Sequence, residues 1–384
     1  MTLCYQMDKK FEMIRMAARE FAEGEIKPIA GELDEKEEFS ISLTQQMGDM
    51  GLFGMTVPEA YGGQGLDYIS YIIAVEEIAR VDGSQAATLA AGNSLGINPI
   101  SKFGSESQKN KYLPDLCRGK TLMGFGLTEP NAGSDAGATT TTAVKEGNTW
   151  VINGRKTMTT NANTTMTKGS IVQAVTGVSG DGRPDYTCFI VDNDTPGLTL
   201  NTLKRKLMWR GSNTAELFFN NCRVKSDAVL GNPGDGFKQM LATLDGGRLS
   251  IGAMGLGCAQ GAFEAALRYS QERIQFGRPI CKQQAIAFKL ADMEVKTELA
   301  RNLLYKACWL AENKSPFGKE AAMSKLYCSE VAKEVADEAV QIHGGYGLFK
   351  DYDVERFYRD QRLLQIGEGT SEILRLVISR AIGC

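Results

Sequence analysis

The chain has 384 residues, 43% of them hydrophobic and 23% charged, with a formal net charge of −3. That is apolar material for two or three packed units, and no run approaches the roughly 20 apolar residues of a membrane-spanning helix. The weakly acidic balance leaves no basic stripe for nucleic acid or anionic lipid, which points to small-molecule chemistry. Met1 to Lys10 carry charges of both signs rather than a leader pattern, so the expected address is cytoplasmic.

From Lys9 to about Arg118 the pattern is helical: Phe11, Ile14, Ala18 and Phe21 recur at three and four residues, and another apolar stripe surrounds Tyr68 to Ala79. Between about Thr121 and Asn232 the texture turns to short β-branched and aromatic runs, at Thr149 to Ile152, Ile171 to Val175, Tyr186 to Val191 and Leu217 to Phe219. These predict a small β-sandwich or barrel. From Gly236 onward helical periodicity returns. It predicts a bundle in which Phe288, Ala291, Val295, Leu299 and Leu303 share one face, followed by helices over Ala322 to Ile342 and Ile373 to Ile378. The expected organisation is therefore an α+β protein of three units: a helical unit over 1–120, a middle β-domain over 121–232 and a helical bundle over 233–384.

Nine cysteines are scattered without a C-x-x-C pair and read as reduced, mostly buried thiols. With a single histidine, His343, in a glycine-rich run, no zinc motif is present and no metal is expected; packing or a turn suits His343 better than catalysis.

Four segments carry candidate chemistry. The turn-rich stretch from Phe125 to Gly137 combines glycines with Thr128 and Ser134, and reads either as an ordinary loop or as a cradle for a polar ring edge or phosphate. Arg273 to Gly277, with Gln284 beyond it, offers a guanidinium and an aromatic face that suit a pyrophosphate and a planar base, or a solvated turn. Asp245 and Arg248 flank Gly246 and Gly247, as a surface ion pair or as site residues. Finally, Ile366 to Glu372 holds Glu368 between Gly367 and Gly369: an acid at a helix N-terminus beside a capping hydroxyl, or a base.

Together with Gln341 to Gly347 and Tyr358-Arg359-Asp360, these segments resemble the acyl-CoA dehydrogenase family in order and approximate spacing over essentially the whole chain. The resemblance implies an N-terminal helical domain, a middle β-domain and a C-terminal four-helix bundle, assembled as a homotetramer. It implies FAD as cofactor, an acyl-CoA as substrate and an electron-transfer flavoprotein as electron partner. Leu127, Thr128, Ser134, Met158 and Thr160 would contact the flavin. Arg273, Phe276, Gln284, Gln341, Gly344 and Gly345 would hold the adenine and pyrophosphate across a dimer interface, with Thr370 and Glu372 completing that site. Ser134, Asp245, Arg248 and Gly369 would line the CoA path, and Glu368 would be the base that removes the α-proton. Family members polarise the thioester carbonyl with the backbone N–H of that base and a ribityl hydroxyl.

Three departures from the family pattern matter. Gly367 stands where straight-chain members carry Tyr, which widens the expected acyl pocket toward branched, cyclic or aryl groups. Gly247 stands where some members place an alternative base, leaving Glu368 without an evident rival, and Asn93, Ser94 and Asn98 supply no carboxylate for a second one. Met158 replaces a Trp expected over the flavin. The reverse reaction, enoyl-CoA or aryl-acrylyl-CoA reduction, uses the same residues, and a non-catalytic acyl-binding scaffold is the reading from a different class.

Overall fold

The computed structural model describes residues 8–178, 180 and 182–384. Among them seven α-helices lead: α1 (Lys9–Phe21), α2 (Lys27–Lys36), α3 (Ile41–Asp49), α4 (Tyr68–Ala79), α5 (Gly83–Ala91), α6 (Asn98–Phe103) and α7 (Glu106–Cys117). Short polar side chains start five of them. Asp8, Ser40, Asp67 and Asp82 each accept a first-turn backbone N–H, and Ser105 with Gln108 forms a reciprocal capping box. Ala18 and Phe21 of the α1 stripe are buried, and α4 is buried from Ser70 to Ala79, as befits a helix that is apolar nearly all round.

Eight strands follow: β1 (Leu122–Gly126), β2 (Thr142–Glu146), β3 (Thr149–Thr160), β4 (Thr167–Val178), β5 (Pro184–Asp192), β6 (Leu198–Thr202), β7 (Thr214–Lys225) and β8 (Val229–Leu230). They form one hydrogen-bonded network in the order β6-β7-β3-β2-β4-β5-β8, with β1 parallel to β4. The four β-branched runs of the sequence lie in β3, β4, β5 and β7. Trp150, Ile152, Val172, Phe189 and Leu217 make a core of their own on one side, whereas Met123, Ile171 and Ile190 join the helical core. This two-sided burial explains why those runs are continuously apolar rather than alternating. Where β3 pairs with β7 the register slips between Lys156 and Thr159, and that bulge carries Met158 at φ +56°.

The C-terminal helices are α8 (Gly236–Glu272), α9 (Gln284–Glu312), α10 (Gly318–His343), α11 (Val354–Asp360) and α12 (Ser371–Ala381); a two-stranded hairpin, β9 (Ile274–Gln275) and β10 (Arg278–Pro279), separates α8 from α9. α8 crosses α4 so closely that a Cβ at Gly257 or Gly261 would lie 2.2 Å from Glu76 O or 2.0 Å from Arg80 O. The stripe Phe288, Val295 and Leu299 of α9 points outward, 60%, 57% and 54% exposed, and the buried face is Leu290, Met293, Ala300, Leu304 and Ala307. α9 carries apolar residues on two sides, and periodicity alone does not say which side meets α8 and α10.

Seven of the eight described cysteines are at least partly buried, and all eight are free; Cys4 lies outside the described residues. His343 packs as expected: its ring stacks on Tyr269 at 4.2 Å and its Nδ1 lies 2.8 Å from Ala339 O. Among the described residues no helix is long and apolar enough to cross a membrane, and no cluster of three metal-ligating side chains occurs.

Candidate active site

Between the turn ending at Gln365 and the start of α12, the chain makes a sharp reversal. Thr370 caps α12, its hydroxyl accepting the Ile373 N–H at 3.3 Å. Thr370 is thus the capping hydroxyl expected beside Glu368, and Glu372 sits exposed in the first turn of the helix. Glu368 has φ +54° and Gly369 φ +104°. A left-handed glutamate costs on the order of 1–2 kcal/mol, so something other than local preference holds it there.

That conformation sends the side chain back to α8. A Cβ built on Gly247 would lie 1.9 Å from Glu368 Oε2, so the carboxyl occupies the space that only a glycine at 247 leaves open. Although the residue as a whole is half-buried, Oε2 is fully buried and lacks a hydrogen-bond partner. Burial pushes the carboxyl up to about 7, with the charges of Lys325 and Arg248 pulling the other way. A glutamate that titrates near neutrality and has a free oxygen is equipped to take a proton.

Arg248, one residue on, is 6% exposed and pairs with Asp245 at 2.6 Å, leaving its Nε buried and unpartnered. The pair of Asp245 and Arg248 is thus a half-buried one, with Arg248 buried and Asp245 partly exposed, next to Glu368. An orphaned carboxylate oxygen and an orphaned guanidinium nitrogen in one place are what a polar ligand would satisfy. Lys325 of α10 is fully buried and donates to Gly369 O at 2.5 Å; burial pushes it down to about 8, opposed by Glu368. Tyr71 of α4, buried and bonded to Ser250 Oγ at 2.9 Å, is pushed up by burial and then by the nearby Glu368 charge.

A second group gathers at the β1–β3 rim. Lys156 and Thr157 of β3 hold the Phe125–Gly137 loop by its carbonyls: Lys156 Nζ donates to Leu127 O at 3.0 Å and Thr157 N to Thr128 O at 2.9 Å. Thr128 and Thr160 are half-buried, Ser134 is exposed, and Met158 is 65% exposed on its strained bulge. An apolar side chain held out beside open hydroxyls and a glycine-rich turn fits the face of a flavin ring.

The third group lies on the hairpin between α8 and α9. Phe276 (φ +50°) and Gly277 (φ +75°) form its two-residue turn, both left-handed as a type I′ turn requires. Phe276 is 94% exposed, and Arg273 sets its guanidinium over the Tyr346 ring at 5.5 Å. Arg273, Gly344 and Gly345 line one cavity of about 410 Å³ with Tyr269 and Tyr346, whereas Gln341 lines a different one of about 280 Å³ with Tyr358 and Arg359. Phe276 and Gln284 line neither. Of the Tyr358-Arg359-Asp360 motif, Arg359 pairs with Asp34 and Glu355, and Asp360 accepts the Trp209 N–H at 2.8 Å, so both brace the units against each other.

Sequence reasoning missed Lys325, Lys156 and Tyr71. A signal existed for the first: Lys325 falls on the buried stripe Ala321, Cys328, Ala332, Val335 and Ala339 of α10, where a lysine is out of place.

Three family models match in succession: the acyl-CoA dehydrogenase N-terminal domain over 8–120, middle domain over 124–222 and C-terminal domain over 234–383. The chain is 49% identical over 378 residues to a probable acyl-CoA dehydrogenase, YngJ, of Bacillus subtilis (98% of this chain, 99% of the relative), and 42% identical over 371 residues to a 3-(aryl)acrylate reductase of Clostridium sporogenes (97% and 98%). Among solved structures it superposes on butyryl-CoA dehydrogenase from Megasphaera elsdenii with a TM-score of 0.95 at 41% identity, covering 99% of this chain and 100% of that one. A chain from work on the electron transferring flavoprotein of Acidaminococcus fermentans and flavin-based electron bifurcation gives 0.96 at 42%, with the same coverage. The protein belongs to the acyl-CoA dehydrogenase family. It is accordingly an oxidoreductase acting on a CH–CH bond with FAD as cofactor.

Proposed function

We propose that Glu368 is the base of this acyl-CoA dehydrogenase and that the acyl group it serves is branched, cyclic or aryl. The observation that carries the first part is the Glu368 carboxyl: buried over Gly247, unpartnered at Oε2 and pushed up to about 7. The carboxylate takes the α-proton of the thioester, becoming neutral in a pocket that favours the neutral form. A bound FAD would supply the hydride acceptor, so that loss of the α-proton to Glu368 and of the β-hydrogen with its electron pair would leave a 2,3-enoyl thioester. Leu127, Thr128, Ser134, Met158 and Thr160 would hold the ring of FAD, and Arg273, Phe276, Gln284, Gln341, Gly344 and Gly345, with Thr370 and Glu372, the remainder. Ser134, the half-buried Arg248–Asp245 pair and Gly369 would flank the CoA path.

Gly367 supports the bulky-acyl reading. It is not held at positive φ, so the backbone does not demand glycine there, and a Cβ would meet only Leu363, at 3.5 Å or more. The relative named for aryl acrylates keeps reduction in view as the physiological direction, and the likeness to the bifurcation-associated chain supports an electron-transfer flavoprotein as partner. The outward apolar stripe of α9 and the exposed Phe276 support burial against further copies in a homotetramer of three-unit chains (1–120, 121–232, 233–384).

The test is Glu368→Gln. It keeps the yellow flavoprotein and acyl-CoA binding and slows anaerobic bleaching of the flavin by substrate on the order of 10²–10⁴-fold. Full bleaching by this variant would reassign the base.

A further inference from the structure

The buried ammonium of Lys325 has no part in the reaction as written above. Its side chain is 0% exposed, enclosed by the packed faces of α10 and α8, and its Nζ reaches Gly369 O at 2.5 Å. The acceptor is significant. Glu368 and Gly369 are consecutive left-handed residues, a conformation that neither the sequence nor a regular helix start enforces. Holding the Gly369 carbonyl fixes the peptide plane that follows Gly369 and so restrains the end of the left-handed pair from which Glu368 projects. A lysine is a costly way to do this, because a buried ammonium is disfavoured unless an anion lies close.

Charged and titratable groups face Glu368 from three helices. α10 contributes Lys325; α8 contributes Arg248, which Asp245 already neutralises in a pair near Lys102 of α6; α4 contributes Tyr71, which stays neutral. Lys325 itself faces the carboxyl of Glu368 and, as a like charge, Arg248. Arg248 is thus partly spent on Asp245, whereas the hydrogen bond of Lys325 goes to an uncharged carbonyl and leaves its charge unneutralised by contact.

We propose that Lys325 is the positioning residue of the catalytic loop: its ammonium grips the Gly369 carbonyl so that the Glu368 carboxyl stays over Gly247, and its charge stands opposite the anion that Glu368 must be in order to accept a proton. The proposal rests on Glu368 being the base. It separates an anchoring role, which needs only a donor, from an electrostatic one, which needs a cation.

Three variants of the full-length FAD-loaded enzyme resolve these roles: Lys325→Arg, Lys325→Gln and Lys325→Met. The measurement is the first-order rate of anaerobic flavin bleaching against pH, at saturating concentration of the acyl-CoA that bleaches the parent enzyme fastest. Removing a nearby positive charge disfavours the carboxylate, so Lys325→Gln, which still offers an N–H donor, moves the acid limb up by about one pH unit. That shift corresponds to about fivefold slower bleaching at pH 7, with the high-pH plateau kept. Lys325→Met shows the same shift and a plateau lowered about tenfold or more, because the loop is no longer anchored. Lys325→Arg keeps the limb within a few tenths of a unit. A purely structural lysine would lower the plateau or the melting temperature without moving the limb. If Lys325→Met does not fold, the Gln and Arg pair still decides the matter. An unmoved limb in a Lys325→Gln enzyme that retains FAD overturns the proposal while a dead Glu368→Gln leaves the base in place; bleaching retained by Glu368→Gln removes the base and this proposal with it.

Discussion

Two loops of this protein are built from the same parts and put them to opposite use. At the Phe125–Gly137 loop a fully buried lysine, Lys156, donates to the carbonyl of Leu127 at 3.0 Å; at the loop that carries Glu368 a fully buried lysine, Lys325, donates to the carbonyl of Gly369 at 2.5 Å. Each loop also buries a glutamate carboxyl. Glu129 accepts Lys156 Nζ at 2.8 Å, the backbone N–H groups of Thr140 and Thr141 at 2.8 and 3.0 Å, and the Thr140 hydroxyl at 2.5 Å. Burial pushes Glu129 up, but these hydrogen bonds outweigh it and hold the group at about 2. Glu368 keeps one buried oxygen with no partner, and there burial wins. The difference between a carboxyl held as an anion and one raised toward neutrality therefore follows the number of donors the fold aims at it, and not the residue type.

The comparison breaks most visibly if Glu129 is neutralised. Glu129→Gln leaves Lys156 buried without its counter-charge, and breaking such a pair costs about 3–5 kcal/mol. The sign follows from the depressed carboxyl: its stabilisation is present in full above the ordinary carboxylate range and is lost as pH falls toward 2. Denaturant unfolding should show the deficit of Glu129→Gln undiminished at pH 7 and shrinking below about pH 4.5. A deficit of equal size at pH 3 and pH 7 would mean that the pair contributes packing rather than charge.

Glu368→Gln should do the reverse. Because the folded-state carboxyl is raised to about 7, the native state binds a proton that the unfolded chain has already released, and stability falls as pH rises from the ordinary carboxylate range through 7. Replacing it by the neutral amide removes the cost of an under-solvated anion, a gain of roughly 1–3 kcal/mol at pH 8 and little at pH 5. Thermal unfolding of the two proteins at both pH values measures it. Destabilisation at pH 8 would show that Lys325 and Glu368 behave as a structural ion pair, like Lys156 and Glu129, and the contrast between the loops would disappear.

Why one of these loops was legible in the sequence and the other was not follows from what periodicity encodes. Helix stripes such as Ala18 and Phe21, and the strand runs in β3, β4, β5 and β7, follow from local patterning, and the structure has them where the pattern put them. Glu368 drew notice through its flanking glycines, but its left-handed backbone and its approach to Gly247 join residues about 120 positions apart, which no local pattern records. The burial of Arg248 was hidden because Asp245 and Arg248 have the i,i+3 spacing common to surface pairs. The buried side of α9 was hidden because Phe288, Val295 and Leu299 satisfy the same period as Met293, Ala300 and Leu304. Lys325 could have been read as a charge on an apolar stripe, but its partner, a backbone carbonyl, has no sequence signature.

The smallest of the expected effects concerns how full the two loops are. Beside Lys156 a Cβ at Gly126 would press to 3.2 Å of Lys156 Cγ, whereas at Gly367 it meets Leu363 at ordinary contact distance, with no positive φ to strain. Gly367→Ala should thus leave stability within about 0.5 kcal/mol, and Gly126→Ala should cost more, since the stem it pushes belongs to the buried pair. The proposed acyl pocket would use this room beside Glu368. Gly367→Tyr places an aromatic ring of roughly 150–250 Å² there without backbone strain, so it should reduce kcat/KM for phenylpropionyl-CoA or a cyclohexyl analogue about tenfold more than for butyryl-CoA. Equal losses on all three substrates would mean that position 367 faces the loop and not the acyl group, and the preference for bulky acyl chains would have to come from another wall of the pocket.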